Sequence, residues 1–298
     1  MYELLAKVAQ RFGPPKARKL AACFLKLASL VAAKQTPPTL RREVMGLSFP
    51  GPVGLAAGFD KHGELYPSLP ALGFGFAEIG SVIPQPETQR SHGLDAVTAI
   101  LSRYPRPHAI PLGVSISMNR MTPPERMADD YLVCMQALWQ YADYITINLG
   151  VRAGPDLHLP EHRATLRRVL AAISKAQTHM AGERGLRRPL AVKVDQSRAD
   201  TDSLLACVQE FAFDALILSG DVGKGEERRA LASLERVASA LNGRMPVISV
   251  GGIRTPQDAA DRLCAGAALV QVYSAIVESG PLLPQRINAY LSTLAVAF

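Results

Sequence analysis

The residues best suited to chemistry in this chain stand where short apolar runs end. Val-Gly-Leu-Ala-Ala-Gly-Phe-Asp-Lys (53–61) closes one run on Gly58 and puts Lys61 just beyond it. The small residues Ala56, Ala57 and Gly58 let a flat ligand lie against the backbone, and Lys61 adds a positive charge at the rim. Val-Gly-Gly-Ile (250–253) and Ala-Leu-Val-Gln-Val-Tyr-Ser-Ala (268–275) flank a helical stretch. N–H groups at Gly251 and Gly252, with the start of a short helix after Tyr273-Ser274, suit a phosphate without needing a cation. Lys193 interrupts an apolar run, an unfavourable place for a charge unless a partner such as a negatively polarised ring edge, or a structural ion pair, meets it. The other runs end on Gly80-Ser81, on Ser115, Ser117 and Asn119, on Asn148 and Gly150, and on Ser219-Gly220-Asp221. Each alone is equally a surface turn; as a set they describe a ligand site.

Such a set converges only if the runs are parallel strands. Eight are expected: Val53–Ala57, Phe76–Gly80, Leu112–Ile116, Tyr144–Asn148, Leu190–Val194, Ala215–Leu218, Val247–Val250 and Leu269–Val272. Helical patterns fall between most of them, over Asp129–Tyr141, Leu166–Met180, Thr201–Phe211, Arg229–Leu241 and Pro256–Ala265. This alternation predicts an α/β protein, a (β/α)8 TIM barrel over residues 39–298, with chemistry at the C-terminal strand ends. A doubly wound open sheet is the alternative, and no early Gly-x-Gly-x-x-Gly supports it. Ahead of the barrel, residues 1–38 read as a helical hairpin, with helices over 2–12 and about 16–34 separated by Gly13-Pro14-Pro15. Its lysines and arginines suit either docking on an anionic membrane surface through residues 2–34 or packing on the barrel.

Lys+Arg number 33 against 26 Asp+Glu, a net charge of +7 that favours an anionic ligand or surface. No basic block is interleaved with aromatics, so nucleic acid is not an expected partner. Cys23, Cys134, Cys207 and Cys264 have no metal-ligand spacing and read as free thiols in apolar helical surroundings of a reducing compartment. No apolar run is long enough to span a bilayer, and the N-terminus lacks a signal-peptide layout.

Several motifs in order resemble the dihydroorotate dehydrogenases, specifically the membrane-associated, quinone-dependent class. They are Val-Met-Gly-Leu-Ser-Phe (44–49), Gly-Leu-Ala-Ala-Gly-Phe-Asp-Lys (54–61), Leu-Gly-Phe-Gly-Phe-Ala-Glu-Ile-Gly-Ser-Val (72–82), Asp-Asp-Tyr-Leu (129–132), Tyr-Ala-Asp-Tyr (141–144), Val-Gly-Gly-Ile and Ala-Gly-Ala-Ala-Leu-Val-Gln-Val-Tyr-Ser (265–274). The resemblance implies FMN in the barrel, hydride transfer from dihydroorotate, and a quinone acceptor reached beneath the N-terminal helices. It implies a flavin lined by Ala56, Ala57, Gly58, Ser81 and Ser115, with Asn148 between flavin and substrate and Lys193 at the pyrimidine edge. Ser219 would stand near the ring, Gly251, Gly252, Tyr273 and Ser274 would hold the phosphate, and Lys61 would meet the substrate carboxylate.

The chain also departs from the family pattern. Val151 occupies the position of the family's base, and the Asn-Arg-Met-Gly-Phe-Asn substrate loop is absent, with Arg103-Tyr104-Pro105-Arg106-Pro107 in that stretch. Ser81 replaces a threonine, Ser115 an asparagine, Met118 a lysine, and Ser219-Gly220 an Asn-Thr pair. A site that loses several hydrogen-bonding partners of its substrate together loses much of its affinity. The expectation is therefore an FMN-dependent oxidoreductase re-tasked to another small anion, its acid group gripped by Lys61, Arg152 and Arg103 or Arg106 and the molecule oriented against the flavin by Asn148. Asp221 or His158 would replace the base. The alternatives are a non-catalytic binding homologue and a genuine dihydroorotate dehydrogenase of pyrimidine biosynthesis with an unusual base. A cytoplasmic protein, peripheral on the inner face of the membrane, fits each.

Overall fold

The computed structural model describes residues 14–30, 36–87, 91, 93–149, 156–196, 201–220 and 226–294. The helix expected over 2–12, residues 31–34 of the second, and Val151, Arg152 and Asp221 lie outside the described residues.

Eight parallel strands close a barrel: β3 (Val53–Leu55), β4 (Phe76–Val82), β5 (Leu112–Ile116), β6 (Tyr144–Asn148), β7 (Leu190–Asp195), β8 (Ala215–Ser219), β9 (Val247–Val250) and β10 (Ala267–Val272), with β10 pairing back onto β3. Every expected strand is present. The bounds shift by one or two residues where a polar or small residue continues the ladder: β4 runs on to Val82, β7 to Asp195 and β8 to Ser219, β10 starts two residues early, and β3 stops before Ala56. The helices are α1 (Pro14–Ser29), α2 (Leu94–Leu101), α3 (Met127–Leu138), α4 (Arg163–Arg184), α5 (Thr201–Gln209), α6 (Glu227–Leu241), α7 (Pro256–Cys264), α8 (Ala275–Ser279) and α9 (Leu283–Leu294). Helix α7 starts on a capping box between Thr255 and Asp258, with Pro256 in its first turn.

Two apolar cores follow from the period-2 alternation of the strands. The outer core joins strands to helices and takes in Ala21 and Leu25, so α1 packs on the barrel. The inner core includes Phe76, Tyr144, Ala191, Ile217, Ile248 and Leu269. Glycines admit its large rings: a Cβ on Gly54 would come 2.3 Å from the Phe76 ring, and one on Gly113 would come 2.1 Å from the Tyr144 ring. A hairpin unseen in the sequence, β1 (Arg42–Val44) and β2 (Leu47–Phe49), closes the N-terminal mouth, where Phe49 meets Phe76 edge-on at 5.3 Å. Above these rings the buried Glu78 accepts hydrogen bonds from Thr146 Oγ1 (2.9 Å), Gln271 Nε2 (3.3 Å) and Tyr144 OH (3.4 Å). Burial first, and then Glu78, push the Tyr144 phenol well above its ordinary value.

Helix α2, also unseen in the sequence, corrects one expectation. It places Arg103 and Arg106 on the connection from a helix back to β5, at the N-terminal end of the barrel. There Arg106 pairs with Asp143 (2.8 Å), the residue before β6, and donates to Gln140 O and Tyr141 O. Neither arginine stands at the strand tips. Asp143 also receives His108 Nδ1 (2.6 Å) and the Leu112 N–H (2.8 Å). Asp214, before β8, repeats the device with Arg187 and the Leu190 N–H. The four cysteines are free thiols, but only Cys134 and Cys207 are buried, whereas Cys23 and Cys264 lie on exposed helix faces. Among the described residues no helix is long and apolar enough to cross a membrane.

Burial alone would raise the Asp143 carboxyl, but the bonds from His108 and Leu112 and the Arg106 charge outweigh it, so its pKa lies below the ordinary value. Its stabilisation is then full above the unfolded pKa of about 4 and lost as pH falls toward the folded value. Asp143→Asn is expected to cost about 1–3 kcal/mol in urea unfolding at pH 7, with the difference shrinking below about pH 4. A difference that is independent of pH would contradict this role.

Candidate functional site

The C-terminal rim is where the sealed barrel opens. Along β4, β6, β7 and β8 the strand residues are buried up to Ser81, Asn148, Lys193 and Ser219, which are partly exposed. Lys193 is thus not sunk in an apolar strand but stands at the mouth, in register with Asn148 on one side and Ile217 on the other. Asn148 Nδ2 donates to Ser81 Oγ (2.6 Å), and Ser81 Oγ lies 3.1 Å from the Oγ of the fully buried Ser115. Beneath them Tyr131 OH (3.0 Å) and Ser117 Oγ (3.4 Å) donate to Asn148 O. Backbone and amide of Asn148 are both held, and the amide orientation follows from the Ser81 contact. Ser219 Oγ donates to Val194 O (2.9 Å), joining β8 to β7 at the same level.

The opposite arc is built of small residues. Ala56 N–H donates to Val272 O (3.0 Å), carrying the β3 tip on beside β10. Gly58 has φ +96°, and a Cβ there would stand 3.5 Å from the Tyr273 ring. Tyr273 is 41% exposed and meets Phe59 edge-on at 6.1 Å. The turn that carries Lys61 is pinned by Asp60, whose carboxylate accepts the Gly63 (2.9 Å) and Leu65 (2.8 Å) N–H groups. Burial raises Asp60 and those N–H bonds oppose the rise. Gly251 and Gly252 have φ +105° and +70°, conformations that favour glycine, directly after β9. Tyr273 and Ser274 follow β10 and lead into α8. The structure therefore brings together Ala56, Ala57, Gly58, Ser81, Ser115, Asn148, Lys193, Ser219, Gly251, Gly252, Tyr273 and Ser274 at one rim.

Two expected contributors are otherwise engaged. Asn119 binds Gln85 O and Glu87 through Nδ2 and receives the Gln85 N–H, so it fastens a loop. His158 is buried, with Nδ1 3.1 Å from Asp156 Oδ1, while Nε2 accepts the Asp195 N–H (3.2 Å). That pattern puts the proton on Nδ1, and taking a proton at Nε2 would first require release of the Asp195 N–H.

Two residues at the rim were missed in the sequence. Gln196, directly after β7, has both amide atoms buried without a hydrogen-bond partner, against Gly220. Arg262 on α7 is 3% exposed and donates from NH2 to Gly251 O (3.3 Å), while its NH1 is buried without a partner. Burial lowers the Arg262 guanidinium, and Asp258, Asp261 and Glu227 oppose the shift. Only position after a strand end could have flagged Gln196; nothing in an amphipathic helix flags Arg262.

Comparison with known proteins agrees with this geometry. The sequence profile of the dihydroorotate dehydrogenase family matches residues 39–90 and 216–294. A dihydroorotate dehydrogenase (quinone) of Azotobacter vinelandii is 32% identical over 95% of this chain and 94% of its own length. The protein of the same name from Methylococcus capsulatus is 33% identical over 99% of this chain and all of its own length. One from Pseudomonas putida reaches 36% over 85% of this chain and 86% of its own. Among solved structures, ligand-free DHODH of Eimeria tenella superposes with a TM-score of 0.79 at 25% identity, covering 92% of this chain and 94% of its own. With a relative above 30% identity across nearly its whole length, and with the barrel in common, the chain belongs to the dihydroorotate dehydrogenase family of flavoenzymes, matches its quinone-dependent class, and is an oxidoreductase related to those enzymes.

Proposed function

We propose that this protein binds FMN across the barrel mouth, oxidises dihydroorotate there and delivers the electrons to a quinone, at a rate held down by the lack of the family's base. The observation that carries this is the rim: polar, partly exposed Ser81, Asn148, Lys193 and Ser219 top an otherwise filled barrel, in a chain whose near full-length relatives named above share one enzyme name. The residues present fit FMN. Ala56, Ala57 and Gly58 offer a wall without long side chains, and the unpartnered amide of Gln196 is a ready donor and acceptor for a polar ring edge. Lys193 supplies positive charge beside Asn148, and Gly251, Gly252, Tyr273 and Ser274 would take the phosphate.

When bound, FMN supplies the hydride acceptor. The chain itself orients and neutralises. Ser81, held by Ser115, fixes the Asn148 amide, which would sit between ring and substrate. Lys61, on the turn that Asp60 pins, would pair with the substrate carboxylate, joined by Arg152. Asp221 is the remaining candidate to accept the substrate proton, since His158 is committed to Asp195. A different small anion as substrate is the second reading, favoured by Val151, Ser115 and Ser219-Gly220, where the family's base and amide partners are absent.

Residues 1–38 are assigned as the membrane-facing element, which would place the protein in the cytoplasm against the inner face of the membrane. Helix α1 supports this by exposing Leu27 (61%), with Leu30 (80%) just after it, beside the exposed Lys26.

Dihydroorotate added without oxygen is expected to bleach the flavin band slowly, at about 10²–10⁴-fold below the rate general-base catalysis would support. Val151→Ser is expected to recover at least about tenfold in that half-reaction. No bleaching in either protein, with the flavin bound, would exclude dihydroorotate and leave the different anion. For the membrane element, the double change Leu27→Glu and Leu30→Glu is expected to lower co-sedimentation with anionic vesicles at least about fivefold. Unchanged binding would show that α1 is not the contact.

A further inference from the structure

Arg262 is a buried cation with a job that packing alone does not explain. It projects from α7 to the turn after β9, where NH2 donates to Gly251 O (3.3 Å) and NH1 is left buried without a partner. The peptide from Gly251 to Gly252 is trans. In a planar trans peptide the carbonyl and the following N–H point in opposite directions. A Gly251 carbonyl turned toward Arg262 on α7 therefore sends the Gly252 N–H the other way, away from that helix. Two successive glycines at positive φ have no side chains to bias that orientation, so it must be set from outside the turn. Among the described residues, Arg262 makes the hydrogen bond that sets it.

We propose that Arg262 is a positioning residue that locks the Gly251–Gly252 peptide with its N–H aimed at the phosphate of the bound flavin, and whose charge further favours that dianion. This rests on FMN being the ligand of the rim. Asp258, Asp261 and Glu227 face Arg262, but Asp258 is spent on the capping box and on the Arg254 N–H, and Glu227 on Arg254. Asp261 is held by Gln257 Nε2 (2.6 Å). The guanidinium is thus neighboured by carboxylates that other groups already occupy.

The test compares FMN with riboflavin, which has the same ring and no phosphate, by fluorescence titration of the full-length protein stripped of flavin. Wild type is expected to prefer FMN. Arg262→Gln should lose about tenfold or more of FMN affinity, as for one charge-assisted hydrogen bond, with riboflavin affinity changed less than about twofold. Arg262→Lys should recover part of the FMN affinity. Equal losses for both ligands, or no loss in a folded variant, would overturn the proposal by making Arg262 a packing residue. If wild type binds neither flavin, it is the FMN assignment that fails. Should the variants not fold, amide exchange in the unaltered protein decides: Gly252 N–H should gain protection with FMN and with inorganic phosphate but not with riboflavin. Protection by riboflavin alone, or by none of them, would overturn the proposal.

Discussion

All eight strands of the barrel run in one direction, and the remaining design follows from that. Parallel closure gathers every strand's C-terminal end at one rim and every N-terminal end at the other. It also encloses an inner face that must be filled. Here the lower layers are filled by Phe49, Phe76 and Tyr144, the last two against glycines whose missing side chains leave room for the rings. Glu78 enters this interior with Thr146, Gln271 and Tyr144 all donating to its Oε2, while its Oε1 is buried without a partner. Filling stops at the level of Ser81, Asn148, Lys193 and Ser219, whose side chains are partly exposed at the mouth.

The two ends divide the work. At the N-terminal end, Asp143 and Asp214 each tie the N–H at the start of a neighbouring strand to an arginine, a repeated fastening. At the C-terminal end the hydrogen bonds converge on side chains that stay partly exposed, and the Ser115–Ser81–Asn148 chain fixes an amide rather than a strand end. Function at one rim and stability at the other is the division this architecture favours.

Much of this was legible in the sequence, because buried parallel strands write themselves as apolar runs with small or polar residues at the end. Val53, Phe76, Leu112, Tyr144, Leu190, Ala215 and Val247 each begin a strand where expected. The misreadings have a common cause: a residue's end of the barrel depends on the helix between strands. Leu94–Leu101 is too short for its periodicity to stand out, and its N-cap, Gly93, makes no side-chain cap. Without it Arg106 reads as a rim residue, whereas it lies at the far end with Asp143. Contacts between distant positions, such as Arg262 with Gly251 or His158 with the Asp195 N–H, leave no local signal at all. That Val151 stands where the family resemblance leads one to expect a base, by contrast, is read from the sequence alone, since that position lies outside the described residues.

The membership in a flavoenzyme family and the arrangement of the rim meet in one claim, that the mouth is built for FMN. An absorbance spectrum of the purified protein, with the pigment released by acid and identified, tests it most directly. The expected result is a two-banded flavin spectrum and FMN released in stoichiometric amount. A colourless protein that stays colourless after incubation with FMN would contradict it.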